Sequence, residues 1–414
     1  MRKRFIINEN EDDKGNLRME ERKFTRLQAR ILTICFIVYF CAYIGRLNMS
    51  ASLDSIMLEL HVNEALGGTL QTVFAIVYAS GQFVFGSIVD RVRPKRLILS
   101  GLLGSALCNL LFSFAGNFTL LIALWAVNGA FQSMLWTPIV RYLAAHFEGA
   151  RRSRASFTMS FTLAGGHIAA WGLAELMMRA FGWRFAFALP ALVLITAALL
   201  AFIMMPSIGP AGDKKTGDMK NYEKMPVNAL FSTGLIALLL CSATNGFLRD
   251  GVVTWAPTIL GADDGLFTLI IPVVNMVGIL IGSTIVRMVK RNIRLIAAAM
   301  MLACVIPSLL LWLFPNAPVF ALSVFLGTMS AILYGSNTMF TVLMPMEYDK
   351  AGRVGLVAGL IDSSIYLGSA FAGTFTGYLR VLTGAWTHVY ACWVLFALAG
   401  ALLALISVRG SKRF

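Results

Sequence analysis

Ile31-Leu-Thr-Ile-Cys-Phe-Ile-Val-Tyr-Phe-Cys-Ala-Tyr43-Ile-Gly-Arg46-Leu-Asn48 runs without a charge from Ile31 to Ile44 and then closes on an arginine. A second apolar run, Gly234 through Leu248 and onward to Leu260, holds Arg249 in its interior. The two arginines stand about 200 residues apart in a chain of 414, at corresponding points of its two halves. A charge in hydrocarbon costs roughly 2.5–3.5 kcal/mol on insertion scales, so a matched pair demands an anionic partner or a water-filled cavity. The expectation is an anion pathway.

Around these two runs the composition is that of a membrane protein. Hydrophobic residues make up 58% of the chain and charged ones 14%, against about 45–50% and 25% in soluble domains. A spanning helix needs roughly 20 mostly apolar residues. Twelve candidate runs are centred near residues 40, 77, 106, 132, 167, 195, 243, 278, 303, 331, 367 and 397. They are too long for membrane strands and lack strict polar–apolar alternation. The predicted fold class is therefore an all-α membrane protein of twelve transmembrane helices.

The net charge of +14 does not point to nucleic acid, because it is placed by topology. Basic residues crowd the N-terminal tail (Arg2 to Arg30) and the segments Arg91 to Arg96, Arg151 to Arg154, Lys214 to Lys224, Arg287 to Arg294, Lys350 to Arg353 and Arg409 to Arg413. These are alternate connections. The others carry only Arg179, Arg184 and Arg380, which by the positive-inside rule puts both termini in the cytoplasm of a cell bounded by the plasma membrane. All six cysteines fall inside apolar runs, without metal or redox spacing. Residues 1–30 are polar, so the first span is expected to remain in the mature protein.

A weak internal repeat organises the twelve runs into two pseudo-symmetric six-helix bundles. Gly86, Ser87 and Arg91 after the second run recur at the same spacing as Gly282, Ser283 and Arg287 after the eighth. The polar stretch from Pro206 to Pro226 reads as a linker. The predicted division is a cytoplasmic tail over 1–27, bundles over 28–205 and 227–408, a cytoplasmic linker over 206–226, and a second tail over 409–414. Transporters built of two such halves bind substrate near the membrane midplane, at the repeat interface. Each arginine lies about 15 residues from the start of its run, or roughly 22 Å deep at 1.5 Å per residue. Snorkelling to the interface, the bland alternative, works best within a turn or two of a helix end.

The stretch from Gly86 through Asp90, Arg91, Pro94 and Lys95 to Arg96 resembles the loop between the second and third helices of the major facilitator superfamily. Within that superfamily the chain resembles the organophosphate:phosphate antiporters, which include the glycerol-3-phosphate and hexose-phosphate transporters. The match is carried by Tyr43 to Asn48, Trp136 to Arg141, Phe247 to Gly251 with Trp255 to Pro257, Leu333 to Gly335 and, more weakly, Tyr366 to Gly368. The resemblance implies phosphate binding by Arg46 and Arg249, and aromatic residues around the cavity at Tyr43, Tyr78, Trp136, Tyr334 and Tyr366. Asp90, Arg91 and Arg96, in the cytoplasmic loop, are expected to serve gating by tying helix ends together in the outward-open state rather than to touch substrate. Departures fall at Gln82, Ala164 and Gly246, where the family carries a substrate-contacting lysine, a histidine and a tyrosine. His167 lies one turn from the expected histidine and is open to a coupling or a structural reading.

The bare residues support the same chemistry. A guanidinium offers five donors in a planar fork and binds phosphate bidentately, so two can hold one dianion. Tyr43 precedes Arg46 by three residues and Tyr78 precedes Gln82 by four, so each pair shares a helix face; for the tyrosines, packing is an equal alternative. Two unpaired cations in an empty cavity would disfavour its closure, and exchange for inorganic phosphate follows as an expectation. Either arginine replaced by lysine is expected to impair transport severely. Asp250 and Asp362 are candidates for proton coupling or for neutralising an arginine; Asp250 points about 100° from Arg249 on an ideal helix and need not pair with it. The leading reading is a monomeric secondary transporter of an organophosphate, with a small anion, inorganic phosphate and the lipid bilayer as its partners. A proton-coupled carrier of organic or sugar acids and a transporter-like sensor of sugar phosphate are the alternatives. No phosphate-cradling loop or two-histidine metal spacing is present, so neither enzyme activity, cofactor nor metal is expected.

Overall fold

Hydrocarbon offers no partner for a backbone N–H or C=O, so apolar runs of this length become helices that satisfy their own hydrogen bonds. The computed structural model describes residues 24–88, 92–207, 234–261, 265–288, 292–348 and 354–411. Each of the twelve predicted centres lies in its own span. Spans 1 to 3 are Arg26–Leu60, Glu64–Ile88 and Pro94–Phe114. Span 4 is split into Phe118–Ser133 and Trp136–His146, and spans 5 and 6 are Gly149–Phe181 and Phe185–Met204. Spans 7 to 9 are Leu235–Leu260, Ile270–Met288 and Ile293–Leu313. Span 10 runs Val319–Thr338 and on through a π-helical Met339–Leu343 to Met344–Met346; spans 11 and 12 are Val354–Thr383 and Trp386–Ser411.

Among the described residues, nine helices are long and apolar enough to cross a membrane by length and composition alone. Spans 5 and 11 are longer than most but diluted by Gly, Ser and Thr, as suits helices packed inside a bundle. The opposite pattern marks lipid-facing helices: Leu395, Leu398, Leu402 and Leu405 form one exposed stripe along span 12. Span 1 opens on a capping box, in which the Thr25 hydroxyl accepts from the Gln28 amide and the Gln28 side chain accepts from the Thr25 amide.

The halves repeat one another in detail. Lys95, in the first turn of span 3, donates to the Phe202 and Met205 carbonyls at the end of span 6 (2.7 and 2.8 Å). Arg294, in the first turn of span 9, donates to the Ser407 carbonyl near the end of span 12 (2.7 Å). Each cation sits at a helix C-terminus, where the macrodipole favours it. Arg294 is buried and also bonds Glu347 (2.8 Å) and the Tyr348 hydroxyl (3.1 Å). Spans 4 and 10 are both deformed in their second half. In span 4 Pro138 has no N–H for the Met134 carbonyl, and in span 10 Pro345 has none for Thr341, at the π-helical stretch.

On the face opposite the termini, the distal face, spans 2 and 11 meet almost backbone to backbone. A Cβ added to Gly68 would run into the Gly373 carbonyl, and one on Gly377 into the Glu64 carbonyl. Thr72 donates to the Ala370 carbonyl (2.6 Å) and accepts from the Thr374 amide (3.1 Å), and Gln71 donates to the Ser369 hydroxyl (3.1 Å). Of the two small-residue pairs visible in span 11, Gly373 with Gly377 is therefore the contact. A Cβ at Gly359 would meet open space.

Several predicted features lie outside the described residues: Asp90, Arg91, and the linker beyond its first two residues. Arg96 is described and exposed, and in this conformer the adjacent Lys95 ties span 3 to the end of span 6. Arg141 donates to the Val92 carbonyl (3.2 Å), anchoring the connection between spans 2 and 3.

Candidate functional site

Arg46 and Arg249 both lie deep within their helices. The nearer helix end is roughly 20 Å from Arg46 and roughly 16 Å from Arg249 at 1.5 Å per residue. Neither can snorkel. The Gly45 carbonyl, one residue before Arg46, accepts from Asn109 Nδ2 (3.0 Å) and Asn128 Nδ2 (3.2 Å). Asn48 bridges Asn109 Oδ1 (2.9 Å) and the Ala186 carbonyl (3.0 Å), while Gln132 donates to the Ala42 carbonyl (3.1 Å) and the Ser105 hydroxyl (2.9 Å). This wholly buried amide network locks spans 1, 3, 4 and 6 behind the arginine. Gly45 leaves room for Leu194, whose Cδ1 would sit 2.5 Å from a Cβ there and would have to shift.

The Arg46 guanidinium lies over two tyrosine rings, 4.4 Å from the Tyr43 centroid and 5.4 Å from that of Tyr78. No carboxylate among the described residues is within ion-pair distance of it. Its five donors are thus held by aromatic faces, which attract the cation without occupying its N–H groups. Tyr78 packs on Tyr366 across the two halves (centroids 4.7 Å apart). Tyr39 lies between Tyr43, edge-on at 5.1 Å, and Trp136, tilted at 4.7 Å. The predicted aromatic residues of spans 1, 2, 4 and 11 are therefore brought together, with Tyr39 as an unpredicted member. Gln82 donates to the Tyr78 hydroxyl (2.8 Å) and accepts from Thr137 (3.0 Å).

Arg249 is differently placed. Its Nε and Nη2 grip the two oxygens of Asp250 (2.7 and 2.9 Å), and Nη1 donates to Asn337 Oδ1 (2.7 Å), with Tyr334 5.7 Å beneath the guanidinium. The expectation of two unpaired cations is corrected here. Adjacent side chains leave a helix about 100° apart, but the long arginine folds back far enough to meet a carboxylate that burial makes costly to leave alone. Span 7 is held by Asn245, which donates to the Ser336 hydroxyl (2.8 Å). Tyr43, Tyr334 and Tyr366 each lie within electrostatic reach of both arginines, so the two guanidinium groups address one space.

Two of the departures prove to be structural. A Cβ on Gly246 would strike the Ile365 carbonyl, so this position is filled by the backbone of span 11 and reads no substrate. Ala164 is buried in the apolar core. His167 is fully buried edge-on to Trp171 (4.3 Å), within electrostatic reach of Asp250 and Arg46, and its Nε2 has no partner among the described residues. Asp362 stands on span 11, partly buried, within electrostatic reach of Arg249. Asp54 and Glu175 line a separate distal cleft of about 200 Å³, where Glu175 pairs with Arg179 (2.5 Å). Asn337 and the Asn109, Asn128 and Gln132 network were not foreseen. The available signal was the i, i+3 spacing of Tyr334 and Asn337, and the recurrence of amides in otherwise apolar spans.

Twelve spans in two related halves, joined at the distal face by the seam of spans 2 and 11 and enclosing a mid-depth cationic site, define a multi-pass membrane transporter. The profile of the Major Facilitator Superfamily matches residues 35–373, and the chain belongs to that family. The glycerol-3-phosphate transporter of Bacillus subtilis (strain 168) is 25% identical over 391 residues, covering 86% of this chain and 87% of that protein. The protein named "Probable sulfoacetate transporter SauU" of Cupriavidus necator is 26% identical over 420 residues, 93% of each chain. Among solved structures, the nucleoside transporter NupG superposes with a TM-score of 0.71 at 14% identity, over 93% of this chain and 100% of that one, a likeness of fold alone. These relatives are transporters, not enzymes.

Proposed function

We propose that this chain moves an organophosphate or related phosphorylated anion across the plasma membrane by alternating access, with inorganic phosphate able to occupy the same site in exchange. The observation that carries the reading is Arg46: a deep guanidinium with every donor unengaged among the described residues, facing Arg249 from the other half. Bidentate N–H forks fit a tetrahedral oxyanion. The cargoes named for the two relatives, glycerol 3-phosphate and sulfoacetate, both carry such a head group. Both halves of one chain supply the site, which supports a monomeric working unit. Termini in the cytoplasm would make the distal face external, and the seam of spans 2 and 11 then supports reading this conformer as closed outward.

The test is trans-stimulated uptake of labelled inorganic phosphate by proteoliposomes of the purified protein. Glycerol phosphate, sugar phosphates, phosphonates, sulfonates and sugar acids serve as competitors. Phosphate counterflow inhibited by phosphorylated compounds is the expected result. Indifference to every phosphorylated competitor would sink the reading.

A further inference from the structure

Arg249 has three guanidinium nitrogens, and all three are engaged within the protein. The Nε–Nη2 edge, the one that grips an oxyanion side-on, is closed by both oxygens of Asp250, and Nη1 is held by Asn337. Among the described residues Arg46 has no such partner. The two arginines that the sequence presents as equivalent are therefore chemically distinct: one is a free fork, the other is masked by a carboxylate one residue away. An incoming anion held by both must displace Asp250 from the side-on edge of Arg249.

Displacement has a consequence for the carboxylate. Asp250 is mostly buried, its side chain 14% exposed. Around it stand Arg249 on its own helix, Arg46 on span 1, His167 on span 5, Tyr334 on span 10 and the Ser369 hydroxyl on span 11, which bonds the carboxylate; Asp362 and Tyr366, also on span 11, lie within electrostatic reach of Arg249. Once an anion occupies both guanidinium groups, neither remains to balance the aspartate, and the buried histidine beside it is packed on Trp171 rather than turned to it as a donor. A buried carboxylate stripped of its partner neutralises by taking up a proton.

We propose that Asp250 is a tethered counter-anion that the substrate's oxyanion exchanges for a proton, so that the carrier moves its anion together with one proton and also recrosses empty. This rests on the cargo reading above and deepens it. The proton enters from the aqueous side to which the site is open, converts the displaced carboxylate to a carboxylic acid, and leaves when the anion departs and Asp250 regains Arg249. Recrossing follows from the same pair: the empty site carries one uncompensated guanidinium instead of two, so exchange is a possible cycle and not an obligatory one.

The experiment has two arms on the full-length protein in proteoliposomes. Counterflow of labelled inorganic phosphate at equal pH tests the cargo reading alone. Net uptake of labelled phosphate into vesicles without internal phosphate, under an inward proton gradient, tests the inference. For one coupled proton, each unit of pH gradient raises steady-state accumulation about tenfold. In Asp250→Asn the gradient is expected to drive no accumulation while counterflow persists at altered affinity; in Asp250→Glu and Asp362→Asn the gradient still drives it. Wild-type counterflow without gradient-driven accumulation overturns the inference and leaves the cargo reading standing. Loss of gradient response in Asp362→Asn but not in Asp250→Asn overturns it as well. Absence of counterflow removes the cargo reading and the inference with it. Should Asp250→Asn fail to fold, wild-type vesicles decide the matter: phosphate addition must alkalinise a weakly buffered exterior containing a pH-sensitive dye, and an unchanged signal refutes the coupling.

Discussion

Replacing Arg46 by lysine is expected to weaken phosphate binding far more than replacing Arg249 by lysine, although both substitutions keep the charge; the equal severity expected from the sequence is revised by the bonds Arg249 already makes. The difference comes from what each guanidinium is doing before the ligand arrives. Arg46 has its whole fork available above Tyr43 and Tyr78, so a phosphate gains two charge-assisted hydrogen bonds there. Lysine, a point charge, retains one. A hydrogen bond to a charged group contributes about 1.5–3 kcal/mol, so Arg46→Lys should raise the Kd roughly ten- to 150-fold. At Arg249 the ligand only substitutes for bonds already made to Asp250 and Asn337; the net gain is small, and Arg249→Lys should cost less than about tenfold. Isothermal titration of inorganic phosphate and glycerol 3-phosphate into the detergent-purified variants measures both. If Arg249→Lys weakens binding as much as Arg46→Lys, the Arg249–Asp250 pair does not survive in the binding-competent carrier and the asymmetry argument is wrong.

Three further outcomes are expected. Asp250→Asn breaks a mostly buried ion pair and should destabilise the empty protein by about 3–5 kcal/mol, with phosphate restoring more of the melting temperature than it adds to the wild type; a thermal-shift series with and without phosphate reads this. Arg294→Ala strips Glu347, Tyr348 and the Ser407 carbonyl of one buried cation and should cost a similar about 3–5 kcal/mol while leaving phosphate affinity in the titration unchanged. Gly68→Leu cannot coexist with the Gly373 carbonyl, so spin labels at positions 66 and 382, both exposed near the distal ends of spans 2 and 11, should show a longer distance than in the parent; an unchanged distance would mean that the seam does not depend on backbone contact.

The sequence makes some of this legible and hides the rest for definite reasons. The twelve spans are visible because hydrocarbon imposes a length, and Arg46 and Arg249 because charge is scarce in apolar runs. Pro138 announces the break in span 4. The pairing of Arg249 with Asp250 is half legible: the sequence offers Asp250 as a counter-charge for an arginine, but helical geometry separates neighbouring side chains, and only the length of the arginine makes its own neighbour the partner. Asn109, Asn128 and Gln132 are hidden because an amide in a span raises no charge anomaly, and the carbonyls they meet, those of Ala42 and Gly45, are brought to them only by the packing of spans 3 and 4 on span 1. Gly246 misleads for a related reason: aligned by position it resembles a lost tyrosine, whereas the backbone of span 11 occupies the space a side chain would need.

The distal seam between spans 2 and 11 contains neutral hydrogen bonds and glycine contacts, with the Glu64–Arg380 pair loosely held at 3.9 Å. Four such bonds at about 0.5–1.5 kcal/mol each amount to roughly 2–6 kcal/mol, and water replaces every one when the seam parts. Reversing a 1:99 population takes about 5.5 kcal/mol of differential binding, so the seam is weak enough for a cargo to overrule. Thr72 and Gln71, on the span 2 side of the seam, then act as a dial on the resting ratio of inward to outward carriers. Evolution can shift apparent affinity at these two positions while leaving the arginines untouched.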